Sequence, residues 1–491
     1  MNAQFDLLVI GGGINGAGIA RDAAGRGLQV LLVEQDDLAA ATSSASSKLI
    51  HGGLRYLEQF EFRLVAEALE EREVLLRIAA HLVWPARFIM PHVPQLRPRW
   101  MIRTGLFLYD HLGRRTRLPG SESVRLDAAP YNSGLRPELK HGFMYADCRV
   151  DDARLVIANA RDAEARGARI VTRTACVAAR RDDGAWRATL SDGSECGARA
   201  IVNAAGPWAK RVLNDDLGQA SRDGVRLVKG SHIVLPRLYE GEHAFILQND
   251  DRRVVFMIPY QSRFTLVGTT DVPFEGELRH PEASDPEVAY LCRAVNRYLA
   301  RPVAPVDVVW RYAGVRPLYD DGSSDPSAIT RDYTLRVDEE AGKAPVLTVY
   351  GGKITTYRRL AEHALAKLRM YLPEMKTAWT AAAPLQGSDF GALTAPMKLA
   401  ALERRYAALP RALLQDVFRR HGVLTEAVLG DARTERDLGE QFGANLCERE
   451  LQYLVRHEWA RSAEDVLWRR TKAGLHMSAA ERARVADRMG A

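Results

Sequence analysis

Near the start of the sequence, the run FDLLVIGGGINGAGIARDAAGRG joins a short apolar segment to a glycine cluster and an alanine-rich segment. Residues 5–10 are almost continuously apolar, which is typical of a parallel strand buried on both faces. Gly11, Gly13 and Gly16 then match G-x-G-x-x-G, in which glycines close the turn, admit a pyrophosphate to the backbone and let the next helix pack closely. This order predicts an α/β fold of the Rossmann type that binds a dinucleotide at the start of its first helix.

The residues after this first helix bear on which dinucleotide is bound. A second apolar strand, residues 30–33, ends in Glu34, which is placed to accept hydrogen bonds from the two hydroxyls of a ribose, so NAD and FAD both remain open. The next segment, QDDLAAATSSASSKLIHGGLRYL, replaces the crossover helix usual in NAD dehydrogenases. Its hydroxyl groups suit the phosphate and ribityl oxygens of an extended FAD, and His51 and Arg55 would lie near the isoalloxazine ring. The segment therefore favours FAD.

The rest of residues 1–385 is predicted to complete an FAD-binding domain that carries an inserted substrate-binding sheet. The insert covers roughly 80–145 and 225–345, where short strands with polar breaks predict an antiparallel sheet. His232, Arg311 and Arg316 interrupt its strands and are candidates for contact with a substrate.

Two later segments extend the prediction. The run VLTVYGGKITTYRRLAEHALAKL, at 346–368, repeats the order of strand, glycine pair and helix. Its helix start, with Lys353, is placed to stabilise negative charge on a reduced flavin. Residues 386–491 are rich in Ala, Leu, Arg and Glu with a helical period, and they are predicted to form a separate all-α domain.

Charge and hydrophobicity limit the partners. The net charge of +6 permits anionic partners, and no apolar run reaches the roughly 18 residues that span a bilayer. The stretch at 87–117 mixes large apolar residues with arginines, which suits a surface that enters anionic lipid headgroups. An amphipathic element that packs on its own domain is the alternative. The residues expected to contact lipid are Trp100, Ile102, Leu106 and Phe107, with Arg97, Arg99 and Arg103.

Taken together, the sequence resembles the FAD-dependent, aerobic-type sn-glycerol-3-phosphate dehydrogenases of bacteria over essentially its whole length. The resemblance rests on the glycine motif and on SSKLIHGGLRYLE, KGSHIV, GTTD, YAGVRPL and YGGKITTYR, of which the first and last of these five are the most specific. It implies oxidation of glycerol 3-phosphate to dihydroxyacetone phosphate on FAD. It further implies that electrons pass to a membrane quinone, and that the protein is cytoplasmic and bound peripherally to the inner face of the cell membrane.

The resemblance and the motifs together assign roles to individual residues, and no metal site is expected. The expected catalytic residues are His51, Arg55, Arg316 and Lys353. The expected substrate-binding residues are Tyr56, His232, Arg316, Arg331 and Lys353. The expected cofactor-binding residues are Gly11, Gly13, Ile14, Asn15, Gly16, Glu34, Thr42, Ser43, Ser47, Lys48, Leu49, Gly206, Trp208, Gly352, Lys353 and Thr355. His51 is the first candidate for the base that takes the proton of the 2-hydroxyl, and His232 is the second.

Several alternatives stay open at this point. A glycerol-3-phosphate oxidase would share the site and pass electrons to oxygen, whereas an amine or amino-acid oxidase would use an arginine for a carboxylate. A nucleic-acid-binding flavoprotein is disfavoured, because the arginines near 97–117 alternate with large aliphatic residues and no nucleic-acid module is recognisable. A homodimer remains an open option.

Overall fold

A computed structural model of the protein describes residues 4–94, 96–113, 117–182, 184–220, 223–251, 253–320, 332–338 and 343–490. The strands within these ranges are β1 (Phe5–Ile10), β2 (Val30–Glu34), β3 (Leu49–Ile50), β4 (Val83–Pro91), β5 (Glu122–Arg125), β6 (His141–Val150), β7 (Arg169–Thr172), β8 (Cys176–Asp182), β9 (Ala185–Leu190), β10 (Glu195–Asn203), β11 (Gly224–Pro236), β12 (Ala244–Gln248), β13 (Val254–Tyr260), β14 (Phe264–Gly268), β15 (Val272–Pro273), β16 (Trp310–Asp320), β17 (Thr334–Asp338), β18 (Val346–Tyr350), β19 (Gln441–Gly443) and β20 (Leu446–Cys447). The α-helices are α1 (Ile14–Gly25), α2 (Phe62–Ile78), α3 (Arg99–Leu112), α4 (Asp152–Glu164), α5 (Ala209–Arg211), α6 (Asp285–Asn296), α7 (Tyr357–Leu368), α8 (Ala395–Arg405), α9 (Arg411–His421), α10 (Thr425–Leu429), α11 (Glu448–His457) and α12 (Ala479–Gly490).

The first sheet is the predicted nucleotide-binding sheet. Its strands run in the order β17-β18-β10-β1-β2-β7, with β9 paired to β10 and β8 paired to β9. Strand β1 pairs in parallel with both β2 and β10. The interior of β1 is fully buried, because α1, α4 and α7 cover one face and a second apolar cluster covers the other. Parallel strands end at the same edge, so the glycine turn after β1 and Glu34 at the end of β2 come together there.

The second sheet has ten strands, in the order β15-β11-β14-β13-β12-β4-β6-β3, with β16 paired to β11 and β5 paired to β6. It is antiparallel except for the pair β4 and β12. The strand at 334–338, which the sequence pattern placed in this sheet, belongs instead to the first sheet. It pairs antiparallel with β18, its near neighbour in the chain, so a short connection decides its partner.

The C-terminal region is helical from α8 to α12 and contains one short hairpin that the prediction of an all-α domain did not include. Strands β19 and β20 are joined by Ala444 and Asn445, both with positive φ, a conformation that Asn tolerates better than most residues. Buried ion pairs fix this region to the first domain. Arg154 of α4 lies 3.0 Å from Glu458, and Asp37 lies 2.6 Å from Arg470.

Helix α3 includes most of the residues expected to contact lipid, and it has one buried face and one exposed face. Ile102 and Leu106 are buried against the cluster that includes α2, so the prediction that they enter a membrane interface is wrong. A spacing of four residues places both on the inward side of the helix. Trp100 and Phe107 are 68% and 58% exposed on the other side. Among the residues that the structure describes, none of the helices is long and apolar enough to cross a bilayer.

Candidate active site

A cavity of about 710 Å³ lies between the two large sheets. One side is formed by the carboxyl ends of β1, β2 and β10. The other sides come from the segment 39–56, from β11 and β16, and from the turn 351–355 that joins β18 to α7. Ser462, Glu464, Asp465 and Arg469 of the C-terminal region complete one end. The cavity is therefore lined by residues of the first sheet's domain, of the second sheet and of the C-terminal region.

The glycine turn after β1 leaves room for a ligand that approaches the backbone. Gly11 has φ +112°, and a Cβ there would lie 2.5 Å from the carbonyl oxygen of Ala204. A Cβ at Gly16 would lie 1.9 Å from the carbonyl oxygen of Gly11, so the helix can approach this closely only with glycine there. The N-terminus of α1 borders the cavity, and Asn15 Oδ1 is buried there without a hydrogen-bond partner in the protein. Free N–H groups at a helix start suit the pyrophosphate of a cofactor, and the buried amide oxygen of Asn15 can accept a hydrogen bond from a cofactor hydroxyl or N–H group.

Glu34 closes the same end of the cavity. Its carboxylate accepts the N–H of Gly12 at 2.6 Å and that of Asp36 at 2.8 Å. Burial raises the pKa of Glu34 to about 7, against the lowering effect of these two N–H groups. The side chain is held at the end of β2 beside the glycine turn, where it can meet the ribose of a dinucleotide.

The hydroxyl-rich segment after β2 lines the cavity, but its hydroxyls also hold the protein together. Thr42 donates to a backbone carbonyl of β16 at 2.6 Å. Ser43 Oγ accepts the N–H of Ile14 at 3.0 Å, which ties the segment to the start of α1. Ser47 Oγ lies 2.9 Å from Nε2 of His232. The bond to Ile14 uses only one lone pair of Ser43 Oγ, so the hydroxyl proton can still be donated to a ligand in the cavity.

Lys48 does not face the cavity. Its ammonium donates to both carboxylate oxygens of Asp152, at 2.9 and 2.8 Å, and to the carbonyl of Ser44 at 2.8 Å. The side chain is buried and lies over the ring of Tyr312. We therefore replace the expectation that Lys48 holds the cofactor directly: it fixes the conformation of the segment that does line the cavity.

The turn 351–355 places the glycine pair of YGGKITTYR next to the glycine motif that follows β1. Asn15 Nδ2 donates to the carbonyl of Gly351 at 3.1 Å, although 336 residues separate them. Gly351 and Gly352 both have positive φ, and a Cβ at Gly352 would lie 2.8 Å from Asn15 Nδ2. The ammonium of Lys353 lies 3.7 Å from the centre of the Tyr56 ring. A cation and a phenol thus share the cavity wall next to the glycine pair.

His51 lies beside this turn. Its backbone N–H donates to Thr355 Oγ1 at 3.2 Å, and its ring meets Phe256 edge-on. Burial lowers the pKa of His51, and the positive charges of Lys353 and Arg72 lower it further, against the opposing effect of Asp147. The imidazole is therefore neutral at pH 7 and can accept a proton.

His232 also lines the cavity and is more deeply enclosed. Its ring stacks on Tyr312 with 4.9 Å between ring centres, and Nδ1 has no hydrogen-bond partner in the protein. Burial, together with the charges of Lys48 and Arg316, lowers the pKa of His232 to about 3. A group that is so hard to protonate is a weaker candidate for the base than His51.

Arg316 brings a guanidinium to the cavity from β16. It donates to Asp271 Oδ1 at 2.6 Å and to the carbonyl of Thr270 at 3.0 Å, and its side chain is 38% exposed. Arg55 lies 3.7 Å from the other oxygen of Asp271 and is outside the cavity lining. Two arginines and one carboxylate thus meet at this point. Arg331, the second arginine expected to bind the substrate, lies outside the described residues.

Most of the residues selected from the sequence line this one cavity. Of the expected cofactor-binding set, those in the lining are Gly11, Gly13, Ile14, Asn15, Glu34, Thr42, Ser43, Ser47, Leu49, Gly206, Trp208, Gly352, Lys353 and Thr355. Of the expected catalytic and substrate-binding set, those in the lining are His51, Tyr56, His232, Arg316 and Lys353.

Sequence reasoning missed several lining residues. Asp271 ends the run GTTD, which was noted only for the resemblance, and no role was given to its carboxylate. Arg173 and Arg279 were also missed, as was the segment 462–469. No local pattern marks these residues, because they reach the cavity only through tertiary contacts.

Comparison with known proteins agrees with this geometry. A family model described as FAD dependent oxidoreductase matches residues 6–358, and one described as the C-terminal domain of alpha-glycerophosphate oxidase matches residues 378–491. The chain is 53% identical over 489 residues to the aerobic glycerol-3-phosphate dehydrogenase of Escherichia coli, covering 98% of this chain and 96% of that protein. It is 50% identical over 483 residues to the D-erythritol 1-phosphate dehydrogenase of Brucella abortus, covering 97% and 96%.

A solved structure is similar over nearly the whole molecule. The glycerol-3-phosphate dehydrogenase from Bacillus halodurans complexed with FAD superimposes with a TM-score of 0.76 at 26% identity, covering 99% of this chain and 94% of that chain. The resemblance stated from the motifs is confirmed, as is the α/β flavoenzyme fold. The chain belongs to the family of FAD-dependent oxidoreductases, and its cofactor is FAD.

Proposed function

We propose that this enzyme oxidises sn-glycerol 3-phosphate to dihydroxyacetone phosphate. The observation that supports this best is the position of Arg316, Lys353 and His51 on one cavity, next to the glycine motifs that suit FAD. A phosphate dianion favours a guanidinium, which can donate two parallel hydrogen bonds. The relative from Escherichia coli bears the name of this activity.

Each residue then has a role that its position supports. FAD, when bound, supplies the acceptor for a hydride from C2 of the substrate. His51 takes the proton of the 2-hydroxyl, since its lowered pKa keeps the imidazole neutral. Lys353 stabilises the negative charge that develops on that oxygen. Arg316 binds the phosphate, and its hydrogen bond to Asp271 holds the guanidinium in place.

A four-carbon substrate is the second candidate, because a relative of 50% identity is named D-erythritol 1-phosphate dehydrogenase. Both substrates have a phosphate and a secondary alcohol carbon that can be oxidised, so Arg316 and His51 would serve either one. We expect kcat/KM to be at least about tenfold higher for glycerol 3-phosphate, a difference of about 1.4 kcal/mol in transition-state stabilisation.

To distinguish these activities, turnover is measured with glycerol 3-phosphate, erythritol 1-phosphate and glycine, each with a soluble quinone analogue as the electron acceptor. Each measurement is repeated with oxygen as the sole acceptor. A higher kcat/KM for erythritol 1-phosphate would reassign the substrate. Turnover of glycine would indicate an amino-acid oxidase, and equal rates with oxygen and quinone would indicate an oxidase.

We also propose that the enzyme passes its electrons to a membrane quinone from the cytoplasmic face of the bilayer, where it binds peripherally. Quinones partition into lipid, so their reductase needs contact with the membrane surface. The exposed face of α3 offers Trp100 and Phe107 beside the exposed residues Arg99 and Arg103. An ion pair of 2.8 Å between Arg97 and Glu58 ties this region to the segment that carries Tyr56.

The membrane proposal predicts the behaviour of the double variant Trp100→Ser, Phe107→Ser. Both side chains are exposed, so the variant should fold and retain FAD. Interfacial burial of apolar area contributes roughly 25 cal/mol per Å², so binding to anionic vesicles should fall about tenfold or more in a sedimentation assay. Val306→Ser, Met370→Ser is the matched control, because these residues are 88% and 76% exposed on other elements. Equal sedimentation of both variants would place the contact elsewhere.

A further inference from the structure

One end of the cofactor cavity is built by a region that the FAD family model does not cover. That model matches residues 6–358, whereas Ser462, Glu464, Asp465 and Arg469 line the cavity. On the opposite side of this end lie Asp36 and Arg173 of the first domain. The C-terminal region is therefore a wall of the cavity as well as a neighbour of the FAD domain.

The two sides are joined through Asp37, which is 1% exposed next to the cavity. Asp37 Oδ2 accepts from Arg469 Nε at 2.6 Å, and both of its oxygens accept from Arg470, at 2.6 and 2.8 Å. Arg469 also donates to Asp465 Oδ1 at 2.5 Å, and Arg173 donates to Asp465 Oδ2 at 2.7 Å. Asp37 thus takes charge-assisted bonds from two guanidiniums across the boundary between the regions. Asp465 takes one across the boundary, from Arg173, and one from Arg469 within its own region.

Asp37 belongs to the same short turn that carries Glu34. Within this turn, residues 34–40, the carboxylate of Glu34 accepts the N–H of Asp36 at 2.8 Å and that of Gly12 at 2.6 Å. The N–H of Ala39 donates to the carbonyl of Gly12 at 3.1 Å. The turn therefore connects Asp37 directly to the glycine motif. A displacement of Asp37 would move Glu34 and the backbone on which the cofactor rests.

Burial makes these contacts sensitive to the loss of one partner. Although burial raises the pKa of Asp465, the N–H of Arg461 and the nearby guanidiniums keep it at about 2. The carboxylate is therefore charged at every ordinary pH. A buried charge that loses a partner is costly, so docking of the C-terminal region and order in the turn 34–40 depend on each other.

We propose that Arg469 is a positioning residue for FAD, through which docking of the segment 462–470 on Asp37 holds the turn 34–40 in the conformation that retains the adenosine half of the cofactor. The C-terminal region then controls cofactor affinity. Because linkage is reciprocal, bound FAD equally favours docking of that region.

The experiment compares Arg469→Gln with wild type, each as holoenzyme. Flavin release after dilution is followed by the rise in free-flavin fluorescence, and hydrogen exchange of residues 34–40 is measured by mass spectrometry. We expect release about tenfold faster, within the roughly 5- to 150-fold range of typical coupling, with faster exchange in the turn. Arg173→Gln, which removes the other bond to Asp465 from a side chain that is 31% exposed, should act in the same direction and serves if the first variant does not fold.

Arg161→Gln is the matched control. Arg161 donates to the carbonyl of His457 at 2.6 Å, so it also bridges the two regions, but it lies outside the cavity lining. Wild-type release from both Arg469→Gln and Arg173→Gln would overturn the proposal. It would also be overturned if Arg161→Gln released FAD equally fast, since general loosening of the interface would then explain the effect, or if exchange in the turn 34–40 did not change.

Discussion

Replacing His51 with Gln should slow reduction of the bound flavin by glycerol 3-phosphate about 10²- to 10⁴-fold in single-turnover stopped-flow experiments, the usual contribution of a general base. Glutamine is similar in size to histidine and cannot take the proton of the substrate. The flavin absorbance spectrum should stay close to that of wild type, because the bond from the backbone N–H of His51 to Thr355 does not depend on the imidazole.

The same experiment carries a pH signature. His51 has a lowered pKa, so the neutral form persists below pH 6.5 and is lost only as the pH falls through that lowered value. Wild type should therefore lose rate at acid pH, and His51→Gln should lose this limb of its profile. His232→Gln is the comparison. If it abolishes the acid limb while His51→Gln keeps it, the base is His232.

The second large effect is expected for Arg316→Ala. A charge-assisted hydrogen bond contributes roughly 1.5–3 kcal/mol, so KM for glycerol 3-phosphate should rise about tenfold to a hundredfold. The FAD content should change little, since the guanidinium donates to Asp271 and to the carbonyl of Thr270, in the connection between β14 and β15. Steady-state kinetics with a soluble acceptor, together with the flavin-to-protein absorbance ratio, measures both quantities.

Arg311 provides the control on the same strand. It pairs with Asp285 at 2.5 Å on the surface and lies outside the cavity lining, so Arg311→Ala should keep the wild-type KM. If Arg316→Ala also keeps the wild-type KM, the phosphate binds elsewhere in the cavity. Loss of FAD from Arg316→Ala would instead make its role structural.

Short-range sequence patterns predicted the nucleotide-binding sheet well, because its strands and turns are determined by residues close together in the sequence. Alternation of apolar runs and glycine turns is enough to locate β1, whose bounds agree with the predicted run, and to place Glu34 at the end of β2. The same reasoning brought His51 and Lys353 to one cavity through motifs that are about 300 residues apart. This is because motifs that follow parallel strands all lie at the carboxyl edge of the sheet, however far apart they are in the sequence.

The contacts that sequence patterns did not predict are those between residues far apart in the chain, which depend on the tertiary structure. Lys48 was expected to bind the cofactor, yet its ammonium pairs with Asp152, 104 residues later. The bond from Arg470 to Asp37 spans 433 residues and has no signature in either segment. Likewise, the mix of large apolar residues and arginines at 87–117 suited a lipid-binding surface or an amphipathic element, but it did not indicate that Ile102 is buried.

The position of β1 has a consequence for biosynthesis. Strand β1 leaves the ribosome before the other strands of its sheet, yet it pairs with β10, and β10 in turn pairs with β18 at Val346–Tyr350. Translation at about 5–20 residues per second means roughly 20–70 s between synthesis of β1 and completion of this sheet. During that interval, strands that are buried on both faces in the final protein lack some of their neighbours. We therefore expect nascent chains of this enzyme to keep apolar strand surface exposed until more than two thirds of the sequence has been made.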